Sequence, residues 1–376
     1  MIYLDNAATS HKKPLKVYTS MAKNTVTNSS NAGRGGHFYS LRASEKIYET
    51  TESLCTLFNI STPEQIAYTQ NATQALNYGI LGILEKDDHA VITQMEHNSV
   101  VRPVHKTCQY TMVKADKYGR INPLDIERAI KPNTKMIICT HASNVCGTIM
   151  PILEISKIAH RHNLYFMLDA AQSAGSIPID VNKMGIDLMA FSGHKGLLTP
   201  MGVGGLYVKE GINLNPIITG GTGSLSESVT QPSFMPDLLQ SGTLNAPAII
   251  SAKESIDFII SKTPQAIGEK EYYLATTLIE DLKNINGVTV YGLPTGNRNG
   301  TVLFNIDKYD STTASEVLND RFKICTRGGW HCAYNAHVAI GSKKHGAVRA
   351  SFGYFNKKQD AKSLADAVYK MSKELL

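Results

Sequence analysis

Between about residues 40 and 210, short apolar runs alternate with helical stretches, and this alternation restricts the fold more than any other feature of the chain. Gln65 to Thr69, Ala90 to Thr93, Thr111 to Lys114, Lys135 to Thr140, Tyr165 to Asp169, Ile186 to Phe191 and Gly204 to Val208 read as strands. Helical spacing covers Leu41 to Phe58, the stretch that Asn71-Ala72-Thr73-Gln74 opens and that runs to about Leu84, and Ile152 to Arg161. Apolar strands joined by helices form a mostly parallel sheet with helices on both faces, an α/β architecture. In such sheets ligands sit outside the carboxyl ends of the strands. From Thr263-Pro264 the pattern changes. A long helix, Ile267 to Lys283, precedes strands near Val288 to Tyr291 and Thr301 to Ile306. A helix at Ala314 to Arg321, strands near Ile324 to Thr326 and Val348 to Ser351, and a terminal helix from about Asp360 complete the chain. The expected organisation is a large domain over 16–262 and a smaller α+β domain made of 1–15 and 263–376.

A chain of 376 residues can bury the core such a plan needs. No apolar run approaches the roughly 20 residues of a membrane span, and the start lacks a basic region followed by a long apolar one, so no secretory signal is expected. Six cysteines, none in a CxxC pair, suit reduced thiols in a cytoplasm better than a disulfide framework. The net charge of +6 is spread along the chain without the dense basic cluster that nucleic acid requires. It favours anionic small ligands instead.

The strand ending at Phe191 runs into Ser192-Gly193-His194-Lys195, where Gly193, Gly196 and Pro200 prevent a helix. A lysine held at a strand end can form a Schiff base with a carbonyl cofactor if its amine is partly desolvated, and pyridoxal phosphate (PLP) is the commonest such cofactor. By itself the segment also suits a solvated loop lysine. Asp169 closes another apolar strand, and a buried carboxylate there needs a cation such as a protonated pyridine nitrogen; a helix N-cap is the competing reading. Thr73 lies in the first turn of a helix, whose free N–H groups attract a phosphate. His97, after a third strand, suits stacking on a ring or an ordinary surface or core position.

Eight segments taken together resemble the successive motifs of cysteine desulfurases and selenocysteine lyases, in the class V aminotransferase group of fold-type-I PLP enzymes. They are Tyr3-Leu4-Asp5-Asn6-Ala7-Ala8-Thr9, Glu96-His97-Asn98-Ser99, Ser143-Asn144-Val145-Cys146-Gly147-Thr148, Asp169-Ala170-Ala171-Gln172, Ser192-Gly193-His194-Lys195, Gln240-Ser241-Gly242-Thr243, Arg327 to Ala333 and Val348 to Gly353. The resemblance implies that Lys195 is the Schiff-base lysine, Asp169 the pyridine-nitrogen partner, and Gln172 and Asn144 the contacts near the ring hydroxyl and substrate. It implies that His97 stacks on the ring, that Thr73, Ser192 and His194 cradle the phosphate, and that Thr243 joins them from a neighbouring subunit of a homodimer. Arg349 matches the clamp on the substrate carboxylate, with Asn144, Arg327 and Ala8 beside it. Cys332 matches the cysteine that takes sulfur from L-cysteine, with L-selenocysteine and cystine as alternative substrates. Its short loop resembles the subgroup that passes sulfur to a separate acceptor protein.

A free cysteine with pKa about 8.5 is only about 3% thiolate at pH 7. Arg327 and His331 are the candidates to supply charge beside Cys332. Of the other cysteines, Cys55 falls in a helical run, Cys108 and Cys139 in or beside apolar strands, Cys146 in the Asn144 loop and Cys325 beside a strand, where buried thiols are expected. Three departures from the commoner pattern are Trp330, where a smaller or imidazole-bearing residue is frequent, Asn71-Ala72-Thr73-Gln74 in place of Gly-(Ala/Thr)-Thr-Glu, and Gly33 in the loop Asn31 to His37, where some relatives place histidine. The rival readings are a class V aminotransferase or cystine C–S lyase, which would not need Cys332, and a PLP-fold scaffold or sulfur-relay partner without activity. A metal site from His331, Cys332, His337 and His345 is the weakest rival, because no tight paired spacing is present.

Overall fold

The computed structural model describes residues 1–374. Its first half runs β1 (Ile2–Tyr3), α1 (Leu15–Thr27), α2 (Phe38–Phe58), β2 (Ile66–Thr69), α3 (Ala72–Ile83), β3 (His89–Thr93), α4 (Asn98–Thr107), β4 (Gln109–Val113), α5 (Pro123–Arg128), β5 (Thr134–Thr140) and α6 (Ile152–Arg161). Then come β6 (Tyr165–Asp169), β7 (Leu188–Ser192), β8 (Gly204–Val208), α7 (Ala246–Lys262), α8 (Pro264–Lys283), β9 (Val288–Tyr291) and β10 (Thr301–Ile306). The chain closes with α9 (Ser311–Phe322), β11 (Ile324–Cys325), α10 (Tyr334–Ile340), β12 (Val348–Ser351) and α11 (Lys358–Lys373).

The expected α/β sheet is present, with strand order β2-β8-β7-β6-β5-β3-β4. Only β8 runs antiparallel to its neighbours. Side chains alternate between two apolar layers, as the period of a strand dictates. Ile137, Cys139, Phe166 and Leu168 enter one core, and Met136, Ile138 and Met167 the other. Because both faces are buried, these strands are apolar throughout rather than alternately polar, which is why they are legible as short runs. Phe191, 1% exposed and against Phe58, is one keystone; truncating such a ring to alanine costs about 3–5 kcal/mol.

A third core lies between α8, α9, α11 and the antiparallel sheet β12-β10-β9. The N-terminus joins it: β1 pairs with β11, Leu4 is fully buried there, and Leu4 O accepts the Ser351 N–H. No helix among the described residues is long and apolar enough to cross a membrane.

Two details differ from the expectations drawn from sequence. The strand expected at Ile186 begins at Leu188, because Ile186 N–H goes to Val181 O and Asp187 is held by Phe166 N–H, His160 and Lys209. Helices α1, α4, α5, α7 and α10 lie outside the stretches read as helical. In α4 the interior Pro103 argues against a helix from sequence alone, yet burial of Val100 and Val104 outweighs the lost bond.

Candidate active site

The loops that leave β2, β3, β5, β6 and β7 at their carboxyl ends converge on a cavity of about 300 Å³. Ala8, Thr73, His97, Asn144, Asp169, Gln172, Ser192, His194, Lys195, Arg327 and Arg349 all line it. Thr243 and Cys332 do not. Close packing fixes the lysine loop: a Cβ on Gly193 would strike Thr199 and Val203 O, and one on Gly196 would strike Ala174 O. Both positions therefore require glycine.

Lys195 Nζ makes no hydrogen bond or ion pair among the described residues. Burial pushes its amine down to about 8, with the charge of Asp169 pulling the other way. An amine at 8 is about one-tenth neutral at pH 7, compared with well under one-thousandth for an ordinary lysine. Asp169, at the end of β6, is 3% exposed, and its Oδ1 accepts the Ala171 N–H at 2.9 Å. Burial raises its carboxyl, that hydrogen bond lowers it, and the charge of Lys195 pulls it further back. The chain leaves Asp169 in a series of turns rather than an α-helix, so the N-cap alternative falls.

An anion fits at the start of α3. Ser192 Oγ accepts the Ala72 N–H at 2.9 Å and Asn71 Oδ1 accepts the Gln74 N–H at 3.1 Å. The Thr73 N–H, between them, has no partner among the described residues. His194 Nδ1 is buried without a partner, and burial, then the charge of Lys195, pushes its ring down to about 4. A free first-turn N–H, two hydroxyls and an orphaned ring nitrogen are a donor set suited to phosphate.

His97 caps α4, its Nδ1 accepting the Ser99 N–H at 3.1 Å. Burial, followed by the charges of Lys195 and Arg327, pushes it down to about 4. The neutral ring therefore carries its proton on Nε2. Ser99 Oγ also bridges His97 Nδ1 (2.9 Å) and Thr73 Oγ1 (2.8 Å), linking the ring to the first turn of α3. Sequence reasoning missed Ser99; its place two residues after His97 was the available signal.

Arg349 is 1% exposed, and its fork is partly spent. Nη2 donates to Asp5 Oδ1 at 2.7 Å and Nη1 to Asn144 O at 3.0 Å, while Nε is buried without a partner. Of its three nitrogens, Nε is the one left without any partner. Asp5, not singled out before, is the residue that holds it. Gln172 Nε2 donates to Ala7 O at 2.9 Å, and Asn144 Nδ2 to His331 O at 2.7 Å.

Cys332 is exposed, whereas Cys139 and Cys146 are buried and Cys55, Cys108 and Cys325 are half-buried. Burial was expected for these three as well; Cys325 stays half-buried because β11 is two residues long and pairs only with β1. Both His331 and Cys332 have left-handed backbone (φ 51° and 56°), and the loop is pinned by Asn98 N–H on Cys332 O at 2.8 Å. Arg327 Nη2 lies 3.9 Å from Cys332 Sγ. His331 does not charge that thiol. Its ring nitrogens meet His337 Nε2 at 3.1 Å and Arg327 O at 3.0 Å, and burial, then Arg349, drives it well below the usual histidine range. Trp330 is exposed, with Nε1 donating to Lys343 O. Thr243 lines a neighbouring cavity that shares Asn71 and His194 with this one.

The family model for class-V aminotransferases matches residues 2–364. The chain belongs to that family. Within this class-V family its relatives are cysteine desulfurases. A probable cysteine desulfurase of Methanothermobacter thermautotrophicus is 33% identical, covering 98% of this chain and 94% of its own. One from Halalkalibacterium halodurans is also 33% identical, over 98% and 93%. The apo structure of a cysteine desulfurase from Thermococcus onnurineus matches with a TM-score of 0.92 at 30% identity, covering 100% of this chain and 95% of that one. This class-V chain is an enzyme of the desulfurase branch, with that branch's α/β fold.

Proposed function

We propose that the enzyme is a PLP-dependent cysteine desulfurase that converts L-cysteine to L-alanine and takes the sulfur as a persulfide on Cys332. The observation that carries this reading is one cavity holding Lys195, Asp169 and the first turn of α3, walled by Arg327, whose guanidinium touches the exposed Cys332 thiol. Lys195 would hold PLP covalently, Asp169 would pair its ring nitrogen, and Thr73, Ser192 and His194 would bind its phosphate. When bound, the cofactor supplies an electron sink for the charge left by the substrate α-proton.

The chain's own groups supply the rest. The lowered Lys195 amine accepts and returns that proton at neutral pH, because its affinity is near the working range. His97 presents a neutral Nε2–H face. Arg349 Nε is a fixed, desolvated donor for the substrate carboxylate, held in place by Asp5. Arg327 Nη2 stands 3.9 Å from Cys332 Sγ, where it orients the sulfur. In the net reaction the C–S bond of L-cysteine breaks, an S–S bond forms on Cys332 Sγ, and a proton replaces sulfur on the departing alanine.

The same reading makes the enzyme a cytoplasmic homodimer in which Thr243 serves the other subunit's phosphate site, and gives the persulfide a separate acceptor protein. Exposed Phe38, Tyr39, Ile217 and Ile218, close in sequence to the loops that Arg34 ties together through Gly221 O and Gly242 O, support an interface there. The division into 16–262 and 1–15 with 263–376 belongs to the same proposal.

The test is alanine and sulfide release from L-cysteine by the PLP-loaded protein with a reductant. Cys332→Ala is expected to keep PLP and lose at least about a hundredfold in rate, the loss of an activated nucleophile. Near-normal alanine release by that variant would move the reading to a C–S lyase or aminotransferase.

A further inference from the structure

Glu96 is fully buried beside the cavity, and the chemistry above gives it no part. It lies in the turn after β3 and reaches across to β5. Its Oε1 accepts both Thr93 Oγ1 at 2.6 Å and the Thr140 N–H at 3.0 Å. Its Oε2 is buried with no partner. Thr140 stands opposite Asp169 in the β5–β6 register, so the two carboxyls follow the strands on either side of β5, with its threonine between them.

We infer that Glu96 is a positioning residue kept protonated on Oε2, so that Asp169 is the carboxylate that ionises at these strand ends. This rests on the proposed function for the role of Asp169. Oε1 already receives two hydrogens, which leaves Oε2 to carry the proton. Glu96 makes no ion pair among the described residues, and its Oε2 meets no cation. Asp169 on β6 and Cys139 on β5 are both acidic, and burial together with Glu96 and Asp169 holds the Cys139 thiol far above its usual range. His97, next in the chain, and His141, with Nδ1 buried and unpartnered, are both pushed down to about 4 by burial and stay neutral. Lys195 is the cation coupled to Asp169. A second buried anion would have no counter-charge, which is expensive in a dry interior. Consistent with this, burial raises Glu96 to about 8 against the pull of Thr93 and Thr140, with Asp169 adding to the rise.

The neutral carboxyl does two things. It leaves Asp169 free to ionise towards the cofactor ring, since two adjacent carboxylates would each resist ionisation. It also straps the ends of β3 and β5 together, directly ahead of His97.

Infrared spectra of the apo protein test the protonation state. At pH 7 buried protonated-carboxyl absorbance is expected from Glu96 and from Glu271, and E96Q should remove the Glu96 share while E271Q leaves it; a spectrum unchanged by E96Q overturns the inference. In the loaded enzyme, E96A is expected to weaken PLP binding about tenfold by leaving Thr140 N–H unsatisfied, and E96Q, which keeps the acceptor, should restore it to within about threefold. E96Q failing as badly as E96A would mean that a carboxylate is needed, and would also overturn it. If both variants fold poorly, D169N apo protein serves: the Glu96 band should titrate at lower pH, because the opposing charge is gone, and an unmoved titration refutes the coupling. Should the PLP reading itself fail, the wild-type protein would take up no PLP while the infrared results stood.

Discussion

Asp5 Oδ1 and Arg349 Nη2 are 2.7 Å apart, although 344 residues separate them in the chain. The guanidinium is 1% exposed and the carboxylate side chain 20%. Removing one partner of a buried pair costs about 3–5 kcal/mol, and the partial exposure of Asp5 points to the lower end. Asp5→Asn is therefore expected to lower the urea unfolding midpoint and to raise the KM for L-cysteine, because Arg349 Nε loses its fixed aim. Unchanged stability and KM would mean that the guanidinium does not depend on Asp5.

Lys195→Ala should fold, with an unfolding transition like that of the parent, yet retain no PLP after borohydride treatment and dialysis. In the parent protein, the rate of covalent PLP uptake by apo enzyme should rise through about pH 8, since only the neutral amine reacts and burial has lowered it to that value. A rise that continues to pH 10 would identify an ordinary surface lysine as the attachment point.

Thr243 lines a cavity adjacent to the Lys195 cavity of its own chain rather than that cavity itself. If it serves the other subunit, mixing inactive K195A with weakened T243A chains should restore activity, because each mixed dimer then contains one unaltered site. Absence of recovery after subunit exchange, measured as alanine release, would place Thr243 at its own chain's site or at none.

Stability should peak near pH 6.5. His97, His141, His194 and His337 are pushed down to about 4, so the unfolded chain binds more protons than the folded one between about 4 and 6.5 and stability rises with pH there. Glu96 and Glu271 are raised to about 8, so the folded chain holds the extra protons from about 4.5 to 8. Their contribution is fully present below 4.5 and is lost as pH rises through 8. Between 4.5 and 6.5 the four histidines outweigh the two carboxyls; above 6.5 the carboxyls dominate, with a combined slope of about −2.7 kcal/mol per pH unit at most, until the lowered Lys13 and Lys195 amines begin to offset them near 8. Urea midpoints measured from pH 5 to 8 check the sign, and E96Q should flatten the alkaline side.

The alternation of buried strands and helices was legible because a sheet covered on both faces demands continuous apolar runs, which fixes the α/β class and puts Asp169, Ser192 and Lys195 at strand ends. Gly193 and Gly196 were legible only as helix breakers; that no other residue clears Thr199 and Ala174 O there follows from the folded chain. The tertiary structure alone decided the partners. Nothing local pairs Asp5 with Arg349, Asn144 with the Cys332 loop, or Glu96 with Thr140, since these contacts depend on the register of strands brought together by the core. It also overruled a local inference, that His331 beside Cys332 in sequence would charge the thiol: the left-handed backbone at both residues turns the ring onto His337, and burial keeps it neutral. Residue identity limits what a position can do chemically, but protonation state and aim follow from burial and neighbours, and both are products of the folded chain.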